Sequence, residues 1–101
     1  MAKLSSIQKQ LNRTKLVAKY AEKRASLKLL LTDDGVSVEE KFKARMKLAK
    51  LPRNSCPTRL KSRCLVTGRS KAFYRKMKVS RIILREYGSK GLIPGIVKSS
   101  W

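Results

Sequence analysis

From Ser5 to Leu31 the chain has no Gly or Pro, and apolar side chains at Leu4, Ile7, Leu11, Val17, Tyr20, Leu27 and Leu30 or Leu31 recur at helical spacing. That period predicts one long helix. Lys9, Arg13, Lys15, Lys19, Lys23, Arg24 and Lys28 crowd its polar faces, so the helix can follow a phosphate backbone while a narrow stripe packs. Thr32-Asp33-Asp34-Gly35 reads as a turn, and Ser37 with Glu40 three residues later is a capping box that opens a second helix running to about Lys50. Phe42, Met46 and Ala49 share one of its faces. Leu51-Pro52 ends it, because proline denies the next turn a backbone donor.

The pattern changes from Pro52 to Lys78, where Pro, Ser, Asn, Arg and Lys predict irregular backbone. Two β-prone pieces, Cys64-Leu65-Val66 and Ala72-Phe73-Tyr74, flank Thr67-Gly68-Arg69-Ser70 and read as a small hairpin with Gly68 in the turn. A last helix from about Ser80 to Ser89 groups Ile82, Ile83 and Tyr87 and sets Arg81 and Arg85 on another face. Gly91 and Pro94-Gly95 then lead into a short tail that needs a partner to be ordered.

Charge changes what this small architecture is for. The 101 residues hold 26 Lys and Arg, 6 Asp and Glu and no His, a formal charge of +20. So much like charge repels itself in a compact state and requires a polyanionic partner. An apolar fraction of 42 % and a mean hydropathy of −0.39 exceed those of a purely disordered tail but promise only small local cores, with further order supplied by the partner. Residues 1–52 carry 13 basic and 5 acidic side chains, net +8, and residues 53–101 carry 13 and 1, net +12. Seven of the ten arginines lie in that second half, and their planar forks suit bidentate phosphate contact and base stacking. With Phe73, Tyr74 and Trp101 interleaved, the pattern fits irregular RNA with exposed bases better than a deep A-form groove.

Other chemistries find little support. Without His, and with the acids gathered in a turn, there is no general-base constellation for an enzyme, and Cys56 and Cys64 cannot assemble four soft zinc ligands. Nothing points to an oxidising compartment, so both thiols are expected to be reduced. The longest apolar run, Leu29-Leu30-Leu31, is too short for a membrane span or a signal-peptide core. The first 21 residues lack acids, a trait shared by mitochondrial presequences and basic RNA-binding arms. A basic DNA-binding or nucleoid-type protein is the alternative that composition alone allows, although neither a reading helix nor a dimer seam is evident.

Residues 52–101 carry Leu51-Pro52-Arg53-Asn54-Ser55 at their boundary, Arg63-Cys64 with Thr67-Gly68-Arg69, Ser80-Arg81 with Leu84-Arg85-Glu86, and Pro94-Gly95 through Lys98-Ser99-Ser100-Trp101. These motifs resemble the bacterial small-subunit ribosomal protein fourteen family, and the resemblance extends to Met1-Ala2-Lys3, leaving no room for an added presequence. It implies a structural constituent of the 30S head with no catalytic step, binding the 3′ major domain of 16S-type ribosomal RNA near ribosomal proteins three, ten and nineteen. The location implied is the cytoplasmic ribosome, or that of a mitochondrion or plastid if the gene is organellar; no membrane, small-molecule substrate or cofactor is implied. A short branch of the family holds zinc with two Cys-x-x-Cys pairs, whose positions here are Cys64, Thr67, Ser80 and Ile83. Three ligands are missing, so the chain resembles the longer, zinc-free branch.

The expected fold is mainly α with a small β-hairpin, extended and non-globular. N-terminal helices in residues 1–51 precede a loop, hairpin, helix and tail in residues 52–101, a module resembling a metal-free zinc-ribbon-like fold. Apolar contact among Leu65, Phe73, Val79 and Ile83 is expected to replace the metal, with Cys64 a small buried hydrophobe. The expected RNA contacts are Arg53, Arg59, Lys61, Arg63, Arg69, Lys71, Arg75, Lys76, Arg81, Arg85 and Lys98, since few have a carboxylate to pair with. Asn54 and Ser55 join them, either satisfying local backbone or bonding sugar and phosphate oxygens. Tyr74 either stacks on a base or fills the core beside Phe73, and Trp101 is expected to be buried against RNA or a neighbouring protein.

Overall fold

Apolar residues spaced by three and four, with no helix breaker among them, give α1, which spans Leu4–Thr32 in the computed structural model describing residues 1–100. None of its side chains is buried. Its half-buried stripe runs through Ile7, Val17, Tyr20, Arg24, Leu27 and, of the pair Leu30 and Leu31, Leu31, whereas Leu4 and Leu11, expected on that stripe, are exposed. Asp33 then closes the turn by accepting the Gly35 N–H at 3.0 Å.

Helix α2 covers Val38–Lys50, with Ser37 as an extended N-cap whose hydroxyl accepts the Glu40 N–H at 3.4 Å. This is the cap expected from the sequence. The face is not: Ala44 is buried between half-buried Lys41 and Leu48, and Phe42 and Met46 point to solvent. The enclosed position thus holds a small side chain, and the large apolar residues lie on the other face. Two 3-10 turns follow at Arg53–Ser55 and Pro57–Arg59. By contact, the described residues form two units, Lys9–Leu60 and a second comprising Met1–Gln8 with the chain from Lys61.

In the second unit, Gly68 N–H donates to the Cys64 carbonyl and Cys64 N–H to the Arg69 carbonyl, both at 2.9 Å. Gly68 has φ +74°, and a Cβ there would lie 2.9 Å from Ile7 Cδ1, so both backbone twist and close packing demand glycine. Ala2 N–H donates to the Thr67 carbonyl at 3.2 Å and completes this attachment of the N-terminus.

The hairpin is real but shifted. Strands β1, Phe73–Tyr74, and β2, Val79–Ser80, pair antiparallel with Phe73 opposite Ser80 and Tyr74 opposite Val79. Cys64–Val66 is not a strand, because the tight loop back to Arg69 occupies the backbone of Cys64. The actual turn, Arg75–Lys78, closes with Lys78 at φ 57° and its N–H on the Tyr74 carbonyl at 2.7 Å. Helix α3, Arg81–Ser89, follows directly. It ends in a Schellman arrangement: Leu92 N–H reaches the Tyr87 carbonyl at 3.0 Å and Gly91 N–H the Gly88 carbonyl at 3.3 Å, with Gly91 at φ +69°.

Cys64, Val79 and Ile83 form the core, with Met77, Leu84 and Tyr87 packed against it. Val79 and Ile83 are where the sequence put them, and Cys64 is indeed a buried small side chain, 3 % exposed. Leu65 is instead 74 % exposed and Phe73 only half-buried. Their places are filled from the helix and hairpin turn, since the Cys64 loop directs Leu65 outward.

Candidate nucleic-acid interface

Helix α3 sets Arg81 and Arg85 one turn apart on an exposed face, four residues being close to a full helical turn. Tyr74, half exposed on β1, and Lys98 of the tail complete a groove of about 420 Å³ with them. Leu84, Gly88 and Ile96 supply its apolar lining, and none of its described lining residues is acidic. Gly88 brings the tail in: a Cβ there would lie 3.2 Å from Ile96 Cγ2. Gly95, at φ +77°, turns the chain that carries Ile96 and Lys98. An aromatic face, two guanidinium forks and an ammonium around one hollow can stack a base and neutralise the phosphates beside it.

Glu86, the one acid after residue 52, does not dilute this field. It pairs with Lys90, Nζ to Oε1 at 2.8 Å, and that hydrogen bond holds the Lys90 ammonium above its ordinary pKa.

The other expected contacts lie outside the groove. Lys71, Arg75 and Lys76 are exposed before and within the hairpin turn, and Lys61 is exposed. Arg63 and Arg69 are half-buried at the Cys64 loop, where Arg63 Nη1 donates to the Gly68 carbonyl at 3.0 Å. In the other unit, Arg53 is exposed, while Arg59 Nη1 donates to Asn54 Oδ1 at 3.1 Å. Ser55 is 0 % exposed, its hydroxyl donating to the Pro52 carbonyl and accepting from Arg24 Nε at 3.0 Å. The local-backbone role therefore describes Ser55, whose side chain is enclosed by protein. Arg24 was not singled out as a fastener by its sequence context, a run of similar cations along α1. Trp101 lies outside the described residues.

Cys64 packs with Ile83, while Thr67 and Ser80 flank its sulfur. Burial pushes the Cys64 thiol up, but the Thr67 hydroxyl and backbone donors of Thr67, Ser80 and Val66 outweigh it and bring the pKa down to about 6. Among the described residues no three His, Cys, Asp or Glu side chains gather into a metal-binding cluster. No described helix is long and apolar enough to cross a membrane.

A chain this cationic, with a core of a few side chains and Arg81, Arg85 and Lys98 around an open groove, has the build of a polyanion-binding protein. A family model described as ribosomal protein S14p/S29e matches residues 47–100. Small ribosomal subunit protein uS14 of Hyphomonas neptunium is 61 % identical, with both chains covered completely. Those of Ruegeria pomeroyi and Methylorubrum extorquens are 62 % and 54 % identical over the same full span. The chain belongs to the uS14 family of small-subunit ribosomal proteins.

Proposed function

We propose that the groove formed by Tyr74, Arg81, Arg85 and Lys98 is the principal ribosomal RNA contact of this chain. The protein is a structural constituent of the small ribosomal subunit, cytoplasmic in its bacterial-type setting, and not an enzyme. The observation that carries the assignment of the surface is the convergence of three cations and an exposed aromatic on one groove with no acidic lining residue. Lys61, Lys71, Arg75 and Lys76 extend the contact along the phosphates and Arg63 and Arg69 shape the Cys64 loop, while Arg53, Asn54 and Arg59 contribute RNA contacts from the other unit.

The RNA is 16S-type, in the 3′ major domain of the 30S head, with ribosomal proteins three, ten and nineteen as neighbours. Residues 52–101 act as the RNA-binding part and residues 1–51 as a basic helical arm. The hairpin and α3 are a metal-free counterpart of a zinc-ribbon-like module; the packing of Cys64, Thr67, Ser80 and Ile83 at the ligand positions supports this. Side-chain packing there does what a metal does elsewhere.

Competition binding at fixed salt tests the reading. Structured 16S-type RNA should displace duplex DNA, and equal affinity would favour a general DNA-binding protein. Neutralising roughly ten phosphates should make affinity fall by several orders of magnitude between low and physiological salt. A flat salt titration would contradict it.

A further inference from the structure

Helix α3 has a second face with different chemistry. Arg81 and Arg85 look onto the groove already described, whereas Ile82, Glu86 and Tyr87, on the opposite side of the helix, line another hollow of about 380 Å³ together with Val66, Arg69 and Ser80. Its polar atoms are not spent on the fold. Ser80 stands at the N-cap of α3, yet its hydroxyl makes no capping bond, and although the residue is 1 % exposed its Oγ has no partner. Arg69 Nε is likewise buried and unpaired. Native proteins keep few such atoms, because each gives up hydration without return. Glu86 gives Lys90 one oxygen, Oε1, and keeps acceptor capacity to spare. Beside these groups Val66 and Ile82 are half exposed.

Charge and shape select the occupant. A bare phosphate would meet Glu86, and an aliphatic chain would leave Arg69 and Ser80 unsatisfied. A nucleobase joins apolar faces to hydrogen-bonding edges in one plane, and a chain of charge +20 brings RNA to the site. Among the bases, guanine alone sets two acceptors, O6 and N7, on one edge, matched to an arginine fork, and two donors, N1–H and N2–H, on another, matched to a carboxylate. Adenine reverses the sense of both: its N6 donor would face Arg69 and its N1 acceptor Glu86.

We propose that this second hollow holds one unpaired guanine of the ribosomal RNA, with Arg69 on its O6 and N7, Glu86 on its N1 and N2, and the Ser80 hydroxyl bonding it as well. The proposal deepens the ribosomal RNA reading and rests on it. One side of α3 then reads sequence while the other holds phosphate.

The test titrates the full chain at fixed salt with the short RNAs UUGUU, UUAUU, UUCUU and UUIUU, where I is inosine, a guanine analogue without the 2-amino group. All four carry the same phosphates, so the sequence-independent attraction cancels. UUGUU should bind roughly tenfold more tightly than UUAUU or UUCUU, with UUIUU between them. Glu86→Gln, at an exposed side chain, should remove the preference without lowering affinity for UUAUU. Equal affinity for the four RNAs, tighter binding of another base, or a guanine preference that survives both Glu86→Gln and Arg69→Met would overturn the proposal. If the variants do not fold, the ranking by the unaltered chain decides. Arg81→Glu with Arg85→Glu should weaken all four alike: no loss there breaks the assignment of the groove, whereas an even loss with no guanine preference breaks this inference alone.

Discussion

Lys9–Leu60 holds 14 basic residues in 52 positions and Lys61–Trp101 holds 11 in 41, nearly the same density. They differ in what restrains the cations. The first segment carries 5 acids and two helices with a single buried helical side chain, Ala44. The second carries 1 acid, already paired, and sets two of its five arginines, Arg81 and Arg85, on a helix anchored by a side-chain core. Charge density alone therefore does not make a binding site. Packing that fixes the direction of cations, together with removal of competing carboxylates, turns an attractive field into a shaped surface.

The largest expected contrast is in RNA affinity. Arg81→Glu with Arg85→Glu should weaken binding by roughly two orders of magnitude at fixed salt, because two phosphate attractions become repulsions. Lys15→Glu with Lys19→Glu on α1 should cost several-fold less, and equal losses in a filter-binding assay would abolish the distinction between the segments. The second contrast is in stability: Ile83→Ala should cost ~2–4 kcal/mol in denaturant titration, whereas exposed Phe42→Ala in the free protein should stay within ~0.5 kcal/mol. A comparable cost at both sites would mean that the two segments share one core.

Ser55→Ala sharpens the account of the first segment. It removes the acceptor for Arg24 Nε and should cost ~1–2 kcal/mol, seen as faster proteolysis around residues 52–60; unchanged cleavage would show that this fastening does not hold the turn. The last contrast concerns pH. With the Cys64 pKa lowered from 9.0 to about 6, the unfolded chain binds more protons between those values, so stability should rise with pH across that window. The contribution is complete above pH 9 and lost as pH falls through 6. Cys64→Ala should flatten the slope, and an unchanged slope would remove the thiolate from the account.

Helices were the most legible part of the sequence. Uninterrupted apolar spacing placed α1 within one residue at each end, and Ser37 with Glu40 marked the start of α2. Those signals are local. The facing of α2 was not legible, because hydrophobicity favours burying Phe42 whereas the fit depends on the small Ala44. The hairpin was displaced for a related reason: Cys64-Leu65-Val66 has strand-like composition, but a long-range arrangement spends its backbone elsewhere. Leu65 N–H reaches the Lys78 carbonyl at 3.1 Å. In the interface, the arginine-rich half was visible from charge, whereas the joining of Tyr74, Arg81, Arg85 and Lys98 required the tail to fold back over Gly88. Ser55 looked like many polar loop residues until Arg24 enclosed it.

Ala72 and Lys78, at φ 52° and 57°, are the non-glycine residues with left-handed backbone. Each brackets a strand and offers its carbonyl to another segment: Ala72 receives the Arg81 N–H at 2.9 Å, and Lys78 the Leu65 N–H. The joints of the module are consequently written in main chain, indifferent to side-chain identity. This gives an engineer considerable freedom. Lys78→Gly relieves a twist that costs an L-residue roughly 1 kcal/mol while keeping both bonds, and the surface around it can be rewritten for a different nucleic acid without disturbing the frame.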